Sequence, residues 1–272
     1  MNIRRNSKNL PSALEADQHI AQRLIKRQAA VFLDYDGTLT PIVKQPEDAV
    51  LSEPMRAVLK KLAGLCITAV VSGRDRANVE QMVGLQEVIY AGSHGFDISG
   101  PPGIHMVHEG GQQCLPALDA AEERLRTLLQ DIPGARVERK RFALAVHYRN
   151  APPDLVERIQ QTAKDIQQSQ PRLRLSGGKK IFELRPDVDW DKGKAVEWLL
   201  RALDLDRPTV EPFYIGDDVT DEDAFRALRD KGVPIVVGHP QATAAQYRLE
   251  NVEEVKQFLN RLAQQLETRN HG

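Results

Sequence analysis

Two aspartates, Asp34 and Asp36, directly follow an apolar run and are separated by a single tyrosine. Carboxylates this close repel each other, and proteins tolerate such a pair mainly where a cation or a proton lies between them. Gly37 allows the chain to turn there, and Thr38 adds a hydroxyl group. The pattern suits a cation site and a solvated Asx turn equally well, so the residues alone favour neither.

A second acidic pair, Asp217 and Asp218, follows the run F-Y-I-G at 213–216. Acidic residues also favour helix N-termini, which accounts for the neighbouring Glu222 and Asp223 better than for this pair. Acidic pairs at the carboxyl ends of two parallel strands would gather several carboxylates in one crevice. Oxygen ligands of that kind select a hard cation such as Mg²⁺.

Two further residues, Ser72 and Lys192, lie where a helical pattern is about to begin or begins. Ser72 follows the apolar run 66–71, where a hydroxyl and backbone N–H groups at a strand-to-helix turn suit a phosphate oxygen. Lys192 opens a helical pattern, where its charge can neutralise both a phosphate and a carboxylate. Each has an ordinary alternative, a helix-capping serine and a surface lysine, and for either residue alone that alternative is favoured.

The runs that precede these residues alternate with helical spacings of apolar residues, which is typical of βαβ units. The predicted strands are 29–33, 66–71, 88–91, 213–216 and 233–238. Continuous apolar strands indicate a parallel sheet covered on both faces. The expected fold is α/β, a doubly wound Rossmann-like parallel sheet.

The pattern changes after the turn cluster at 99–103. Residues 136–149 alternate between apolar and polar, as does a strand with one open face. Further short strands are predicted at 172–175 and 180–185, and two helical stripes accompany them. This middle stretch is predicted to be an inserted α+β domain.

The expected limits are 1–99 and 187–272 for the core and 100–186 for the insert. Residues 1–25 and 266–272 are polar and are predicted to be peripheral.

Composition excludes several classes. The chain has 272 residues, with 37 Lys+Arg and 38 Asp+Glu, so it lacks the basic surface expected of a nucleic-acid binder. No apolar run reaches the length of a membrane span, and Cys66 and Cys114 form neither a disulfide scaffold nor a zinc site. We expect a cytoplasmic protein with a small-molecule substrate, no nucleic-acid or membrane partner, and a monomeric state, with a dimer as the alternative.

Four motifs in order, D-Y-D-G-T, V-V-S-G, D-K-G-K and G-D-D-V-T-D-E, resemble those of the haloacid dehalogenase superfamily. Further segments, S-G-R, G-S-H-G, E-R-K followed by F-A-L-A-V-H-Y-R, and G-K through E-L-R-P, resemble the trehalose-6-phosphate phosphatases, in which the insert is an α/β cap domain.

The resemblance implies a hydrolase of trehalose biosynthesis that releases phosphate from trehalose 6-phosphate through an aspartyl-phosphate. Asp34 would be the nucleophile and Asp36 the general acid and base. Ser72 and Lys192 would hold the phosphate.

The resemblance also implies a ligand set for Mg²⁺ and a substrate-binding set. Mg²⁺ would be held by Asp34, the Asp36 backbone carbonyl and Asp217, with Asp218 and Asp221 as further ligands or in contact with the ligands. The substrate-binding set consists of Asp34, Tyr35, Asp36, Arg74, His94, Glu138, Lys140, Arg149, Lys179 and Glu183.

Strand periodicity adds support for the insert. Glu138 and Lys140 point to one face of a strand, as do Lys179 and Glu183, and such pairs can bind sugar hydroxyls. Cross-strand salt bridges on a solvated face are the alternative.

Other functions remain open at this point. They are a phosphatase of sucrose phosphate or mannosylphosphoglycerate, a non-catalytic phosphosugar-binding regulator, and a phosphotransferase or mutase that protects the aspartyl-phosphate from water.

Overall fold

The computed structural model describes residues 6–101, 103–178 and 180–270. It divides into two compact units. The core unit ends at Met106 and resumes at Trp190, and the insert consists of Val107–Asp189.

The elements of the core unit are α1 Asp17–Leu24, β1 Gln28–Leu33, α2 Glu53–Ala63, β2 Ile67–Val71, α3 Arg76–Val83, β3 Ile89–Gly92, β4 Asp97–Gly100 and β5 Ile104–Val107. Those of the insert are α4 Glu109–Gln112, α5 Leu115–Leu129, β6 Arg136–Lys140, β7 Ala143–His147, α6 Val156–Ser169, β8 Leu173–Gly178 and β9 Ile181–Pro186. The core resumes with α7 Lys192–Ala202, β10 Val210–Gly216, α8 Asp221–Leu228, β11 Val233–Val237, β12 Tyr247–Leu249 and α9 Val252–Asn270.

The core sheet has eight strands in the order β12-β11-β10-β1-β2-β3-β4-β5. The strands from β12 to β3 are parallel, and β4 is antiparallel to β3. The chain winds outward from β1 in one direction and from β10 in the other. Ligands of such sheets bind at this switch point, beyond the carboxyl ends of the two strands. The predicted doubly wound fold is confirmed.

Burial of both sheet faces explains why residues 29–33 of β1 and 213–216 of β10 form continuous apolar runs. Side chains of a strand alternate between faces, so Leu33 and Ile215 join one hydrophobic core while Phe32 and Tyr214 join the other. Leu33 lies opposite Ile215 in the parallel register, which brings the ends of the two strands side by side.

The insert is a four-stranded antiparallel sheet, in the order β6-β7-β9-β8, with a hydrophobic core of its own. Leu144 and Leu184 of the sheet pack with Leu118 of α5 and Ile159 of α6. Alternation therefore directs the intervening side chains of the strands to the opposite face. We call that opposite face the open face of the insert.

One predicted strand is wrong in its extent. Residues 136–149 form a hairpin, β6 and β7, instead of a single strand. Arg141 and Phe142 connect the two strands, and they lack the Asn-Gly or Asp-Gly signal of a two-residue turn. The apolar alternation continues through the turn because Phe142 is itself buried.

The insert also begins later than residue 100. Strand β5 lies beside β4 in the core sheet, and the Gly103 amide donates to the Gly100 carbonyl across the turn. The turn cluster therefore connects two core strands and is not the limit of a domain.

The prediction that residues 1–25 and 266–272 are peripheral is wrong where the structure describes them. Leu10, Ala13, Ile20 and Leu24 are all buried, and Leu266 lies in the same hydrophobic core as Ala13, Ile20 and Leu24. These buried residues are separated by polar ones. Helix α1 is amphipathic, with one buried face and one exposed face.

Within the described residues, no helix is both long enough and apolar enough to cross a membrane. The two cysteines are free and buried.

Candidate active site

Asp34 and Asp217 leave the ends of the neighbouring strands β1 and β10. The Asp34 amide continues the ladder by donating to the Ile215 carbonyl at 2.9 Å. Carboxylate oxygens of Asp34, Asp217 and Asp221 all lie within 4.8 Å of one another. The structure thus brings Asp34 together with two acidic residues that lie 183 or more positions further along the chain, as two strand ends at one crevice would predict.

Two glycines permit this approach. A Cβ on Gly37 would lie 2.2 Å from an Asp217 oxygen, and φ at Gly37 is +87°, in the left-handed region. A Cβ on Gly216 would lie 2.3 Å from Cγ of Asp221. The backbone next to each carboxylate is therefore packed too closely for any side chain.

Lys192 is the buried cation of the site. Its helix, α7, begins where the Asp191 side chain accepts a hydrogen bond from the Lys194 amide at 2.9 Å. The Lys192 ammonium group donates to Asp34 at 2.6 Å and to Asp221 at 2.7 Å. Burial alone would lower the pKa of Lys192, but the two carboxylates raise it above its ordinary value.

Asp221 connects the parts of the site, although the sequence predicted only an accessory role for it. One oxygen accepts from Lys192 and from the Tyr214 hydroxyl at 2.7 Å, and the other accepts from the amides of Asp217 and Asp218. This fully buried carboxylate therefore fixes the lysine and the backbone that carries Asp217. Asp218 itself is exposed and its Oδ1 accepts from the Val219 amide.

The charge of the cluster favours a bound cation. Burial, followed by repulsion from Asp221 and Asp218, raises the pKa of Asp217 to about 7. Burial raises the pKa of Asp34 well above its ordinary value, although Lys192 opposes the shift. Oδ1 of Asp217 is buried and has no hydrogen-bond partner. A hard cation fits these residues because it would satisfy that oxygen and offset the repulsion.

Asp36 lies two residues after Asp34, in the loop that follows β1, but it pairs with Arg74 and not with Lys192. Both of its oxygens accept hydrogen bonds from Arg74, at 2.6 and 2.7 Å. The side chain of Tyr35 is fully buried and its hydroxyl donates to the Ala49 carbonyl, so the predicted contact of Tyr35 with substrate stays a prediction. Only the backbone of Tyr35 remains available for such a contact.

Ser72 and His94 meet at the ends of β2 and β3. Ser72 is buried, its Oγ accepts from the Arg74 amide at 3.1 Å, and its carbonyl accepts from the His94 amide at 2.8 Å. The His94 ring packs so closely on Gly73 that a Cβ there would lie 2.9 Å from it. His94 has φ of +59°, and such left-handed backbone in a residue other than glycine is common near functional sites.

The predicted sugar contacts of the insert lie on its open face. Glu138 and Glu183 both lie opposite Ala145 of β7, on either side of it. Lys140 donates to Glu183 at 3.1 Å, and Glu138 contacts His147 at 2.6 Å. The hydrogen bond with His147 lowers the pKa of Glu138.

Two further predicted residues give less information. Arg149 is exposed and lies just beyond the end of β7. Lys179 lies outside the described residues.

Comparison with known proteins identifies the family. The sequence profile of the trehalose-phosphatases matches residues 32–253, which is most of the chain. The chain belongs to the trehalose-phosphatase family. It is 46% identical over 268 residues to the trehalose-phosphate phosphatase of Mycobacterium tuberculosis H37Rv, covering 96% of this chain and 68% of that protein. The corresponding Mycobacterium marinum protein is 44% identical over 269 residues, covering 97% of this chain and 68% of that protein.

Solved structures of the family agree with the fold. A trehalose-6-phosphate phosphatase related protein superposes with a TM-score of 0.77 at 26% identity, covering 89% of this chain and 99% of that chain. The C-terminal domain of the Candida albicans trehalose-6-phosphate phosphatase gives 0.77 at 25% identity, covering 94% of this chain and 99% of that chain. The C-terminal domain of a Candida albicans trehalose synthase regulatory protein gives 0.70 at 12% identity, covering 93% and 99%, which shows the fold alone.

Within this trehalose-phosphatase chain, sequence reasoning missed Tyr214 and His147. Tyr214 looked like one more apolar strand residue, although its position two residues before Gly216 places its hydroxyl near the strand end. His147 lies on the face of Ala145 because side chains two residues apart share a face. Strand alternation through β7 could have identified it.

Proposed function

We propose that this chain is a Mg²⁺-dependent phosphatase that hydrolyses trehalose 6-phosphate to trehalose and inorganic phosphate. The observation that carries the proposal is the buried Lys192 between Asp34 and Asp221, beside an Asp217 oxygen that has no protein partner. A site with these charges suits a phosphate monoester and a cation. Membership of the trehalose-phosphatase family supports the choice of sugar.

The reaction proceeds in two displacements. A carboxylate oxygen of Asp34 attacks phosphorus while the bond to the sugar oxygen breaks, and protonated Asp36 gives its proton to that leaving oxygen. Asp36, now a carboxylate, takes a proton from a water molecule as the water oxygen attacks the aspartyl-phosphate. Inorganic phosphate leaves, the Asp34 carboxylate is restored and Asp36 is protonated again.

Mg²⁺ would be held by the side chains of Asp34 and Asp217 and by the backbone carbonyl of Asp36, with Asp221 in contact with these groups. Its charge would offset the repulsion between the attacking carboxylate and the phosphate dianion.

Ser72 and Lys192 act on the phosphate oxygens. The Ser72 hydroxyl donates a hydrogen bond, and the ammonium group of Lys192 supplies a fixed positive charge. Both side chains are buried and held by the core, so they need little reorganisation when charge develops during phosphoryl transfer.

Recognition of the sugar belongs to the open face of the insert. Glu138, Lys140 and Glu183 bind sugar hydroxyls, and Lys179 and Arg149 add further polar contacts. On this face Lys140 pairs with Glu183 and His147 contacts Glu138, and partly exposed pairs of this kind are weak enough to be exchanged for hydroxyl groups. The cytoplasmic location and the monomeric state stay predictions.

The deciding experiment measures phosphate release from trehalose 6-phosphate with Mg²⁺ and with a chelator. We expect Mg²⁺-dependent release, and a higher kcat/KM than with sucrose phosphate or mannosylphosphoglycerate. Preference for either of those would contradict the assigned sugar. Binding without release would indicate a regulator, and transfer of phosphate to an added sugar would indicate a phosphotransferase.

A further inference from the structure

Arg74 makes an unusually complete set of contacts around the proposed general acid. Its Nε donates to Oδ2 of Asp36 at 2.7 Å and its Nη2 donates to Oδ1 at 2.6 Å. Such a forked pair fixes the plane of the carboxylate as well as its position. A carboxylate oxygen offers two lone pairs, so one on each oxygen of Asp36 remains for proton transfer.

The remaining donors of Arg74 are also used. Nη2 donates to the Pro46 carbonyl at 2.9 Å, and Nη1 contacts Asn78 Oδ1 at 3.3 Å and Met82 Sδ at 3.5 Å. A guanidinium group has five N–H donors, and these contacts account for all of them. Arg74 therefore has no donor left for a substrate, although the substrate-binding role predicted from the sequence would need one.

Tyr35 provides the platform for this arginine. The guanidinium carbon lies 5.4 Å from the centre of the Tyr35 ring, at the distance of a cation–π contact. The ring is immobilised by full burial and by its hydrogen bond to Ala49. The side chain of Arg74 is 13% exposed and that of Asp36 is 40% exposed, so the arginine lies behind the carboxylate and the carboxylate faces outward.

We infer that Arg74, stacked on Tyr35, is a positioning residue that holds Asp36 in the orientation needed for proton transfer to the leaving oxygen. Arg74 acts through Asp36 and does not bind the substrate. This inference rests on the phosphatase activity and on the role of Asp36 proposed above. Lysine cannot replace the arginine, because an ammonium group is a point charge and cannot fork to both oxygens.

The test compares two aryl phosphates that have almost the same size and no sugar. Phenolate is a poor leaving group and needs a proton, whereas p-nitrophenolate leaves with little help. In Arg74→Lys we expect kcat/KM for phenyl phosphate to fall about tenfold or more, since general acid catalysis contributes roughly 10²- to 10⁴-fold. For p-nitrophenyl phosphate we expect a fall of less than about threefold, on the same reasoning.

A double-mutant cycle and a matched arginine complete the test. In an Asp36→Asn background, Arg74→Lys should have no further effect on phenyl phosphate, because both changes remove the same function. Arg56 is the control: it donates to the backbone carbonyls of Met82 and Val83. Arg56→Lys should leave the ratio of the two rates unchanged, whatever it does to the melting temperature.

Other outcomes overturn the inference. Equal losses on both aryl phosphates would mean that Arg74 contacts the phosphoryl group, and additive losses in the cycle would mean that it acts independently of Asp36. Hydrolysis of both aryl phosphates without trehalose 6-phosphate would refute only the proposed sugar. If the unmodified enzyme hydrolysed no phosphate ester, the proposed function would fail before the inference was reached.

Discussion

The strand ends of the core and the open face of the insert are both rich in charge, but the charges are arranged differently. In the core, Lys192 pairs with Asp34 and Asp221, Asp217 lies close to both carboxylates, and negative charge is in excess. On the insert, Lys140 pairs with Glu183 and His147 contacts Glu138, each with partly exposed side chains.

The difference separates two kinds of site. Excess buried charge destabilises a fold unless a ligand balances it, so the strand ends are suited to holding a cation and a phosphate. Partly exposed pairs contribute little to stability and exchange readily with hydroxyl groups. The proposed site of chemistry and the proposed site of recognition thus differ in how strongly the fold holds their residues.

The largest effect is expected from Asp34→Asn. Asparagine keeps the volume and a contact for Lys192 but is not a nucleophile, so turnover of trehalose 6-phosphate should fall by about 10⁴-fold or more. The variant also loses one of the mutually repelling carboxylates. Its metal-free melting temperature at pH 7.5 should therefore equal or exceed that of the original protein.

Phosphate release and thermal unfolding measure the two effects separately. Near-normal activity in Asp34→Asn would remove the nucleophile assignment. A collapse of stability would contradict the description of the cluster as a source of strain.

Asp221→Asn should affect both activity and stability. Asparagine has one acceptor oxygen, so it cannot accept both from Lys192 and Tyr214 and from the two backbone N–H groups, and Lys192 loses half of its balancing charge. We expect a loss of about 3 kcal/mol in the free energy of unfolding. We expect kcat to fall roughly 10²- to 10³-fold, as for a misplaced charge-stabilising group.

Tyr214→Phe is the matched control, since it removes a single donor to the other oxygen of Asp221. It should lower the free energy of unfolding by about 1 kcal/mol, the typical net value of one hydrogen bond. Denaturant titration and steady-state kinetics compare the two variants. Equal effects would mean that Asp221 does not organise the loop as described.

Glu183→Ala tests whether the open face of the insert contacts the sugar. Loss of a charged hydrogen bond to a sugar hydroxyl should lower kcat/KM for trehalose 6-phosphate by about 10- to 100-fold, and leave p-nitrophenyl phosphate nearly unchanged. Asp119→Ala is the control, because Asp119 pairs with Arg139 on the helix-covered side of the same sheet. Equal losses on both substrates would argue against a sugar contact for Glu183.

The sequence was most informative where burial and strand order determine the structure. Asp34 and Asp217 could be paired in advance because adjacent parallel strands end at the same edge of a sheet. The sequence was least informative where a side chain has several possible hydrogen-bond partners. Nothing in the spacing of Arg74 indicated that its donors would be used by Asp36 and by other protein groups, or that it would stack on the Tyr35 ring.

Local signals failed for a different reason in the N-terminal segment and in the hairpin of the insert. The burial of Ile20 and Leu24 is driven by tertiary contacts that a mostly polar sequence does not display. The turn at Arg141 and Phe142 is set by the pairing of β6 with β7 instead of by residues with turn preferences.

The smallest effect concerns pH and metal in the unmodified protein. The pKa of Asp217 is raised to about 7 and that of Asp34 is also raised, so the folded protein holds protons that the unfolded chain has already released. The stabilising contribution of these groups is complete below the ordinary carboxyl pKa and is lost as pH rises through the raised values. Metal-free protein should therefore lose stability between about pH 4 and 8.

Mg²⁺ should reverse this dependence, because it binds the carboxylates and competes with their protons. The increase in melting temperature on adding Mg²⁺ should be larger at pH 7.5 than at pH 5, and a chelator should abolish it. The Asp217→Asn variant should show a weaker pH dependence and a weaker Mg²⁺ effect. The same Mg²⁺ effect at both pH values would mean that the ion binds elsewhere, and the contrast between the strand ends and the insert would lose its physical basis.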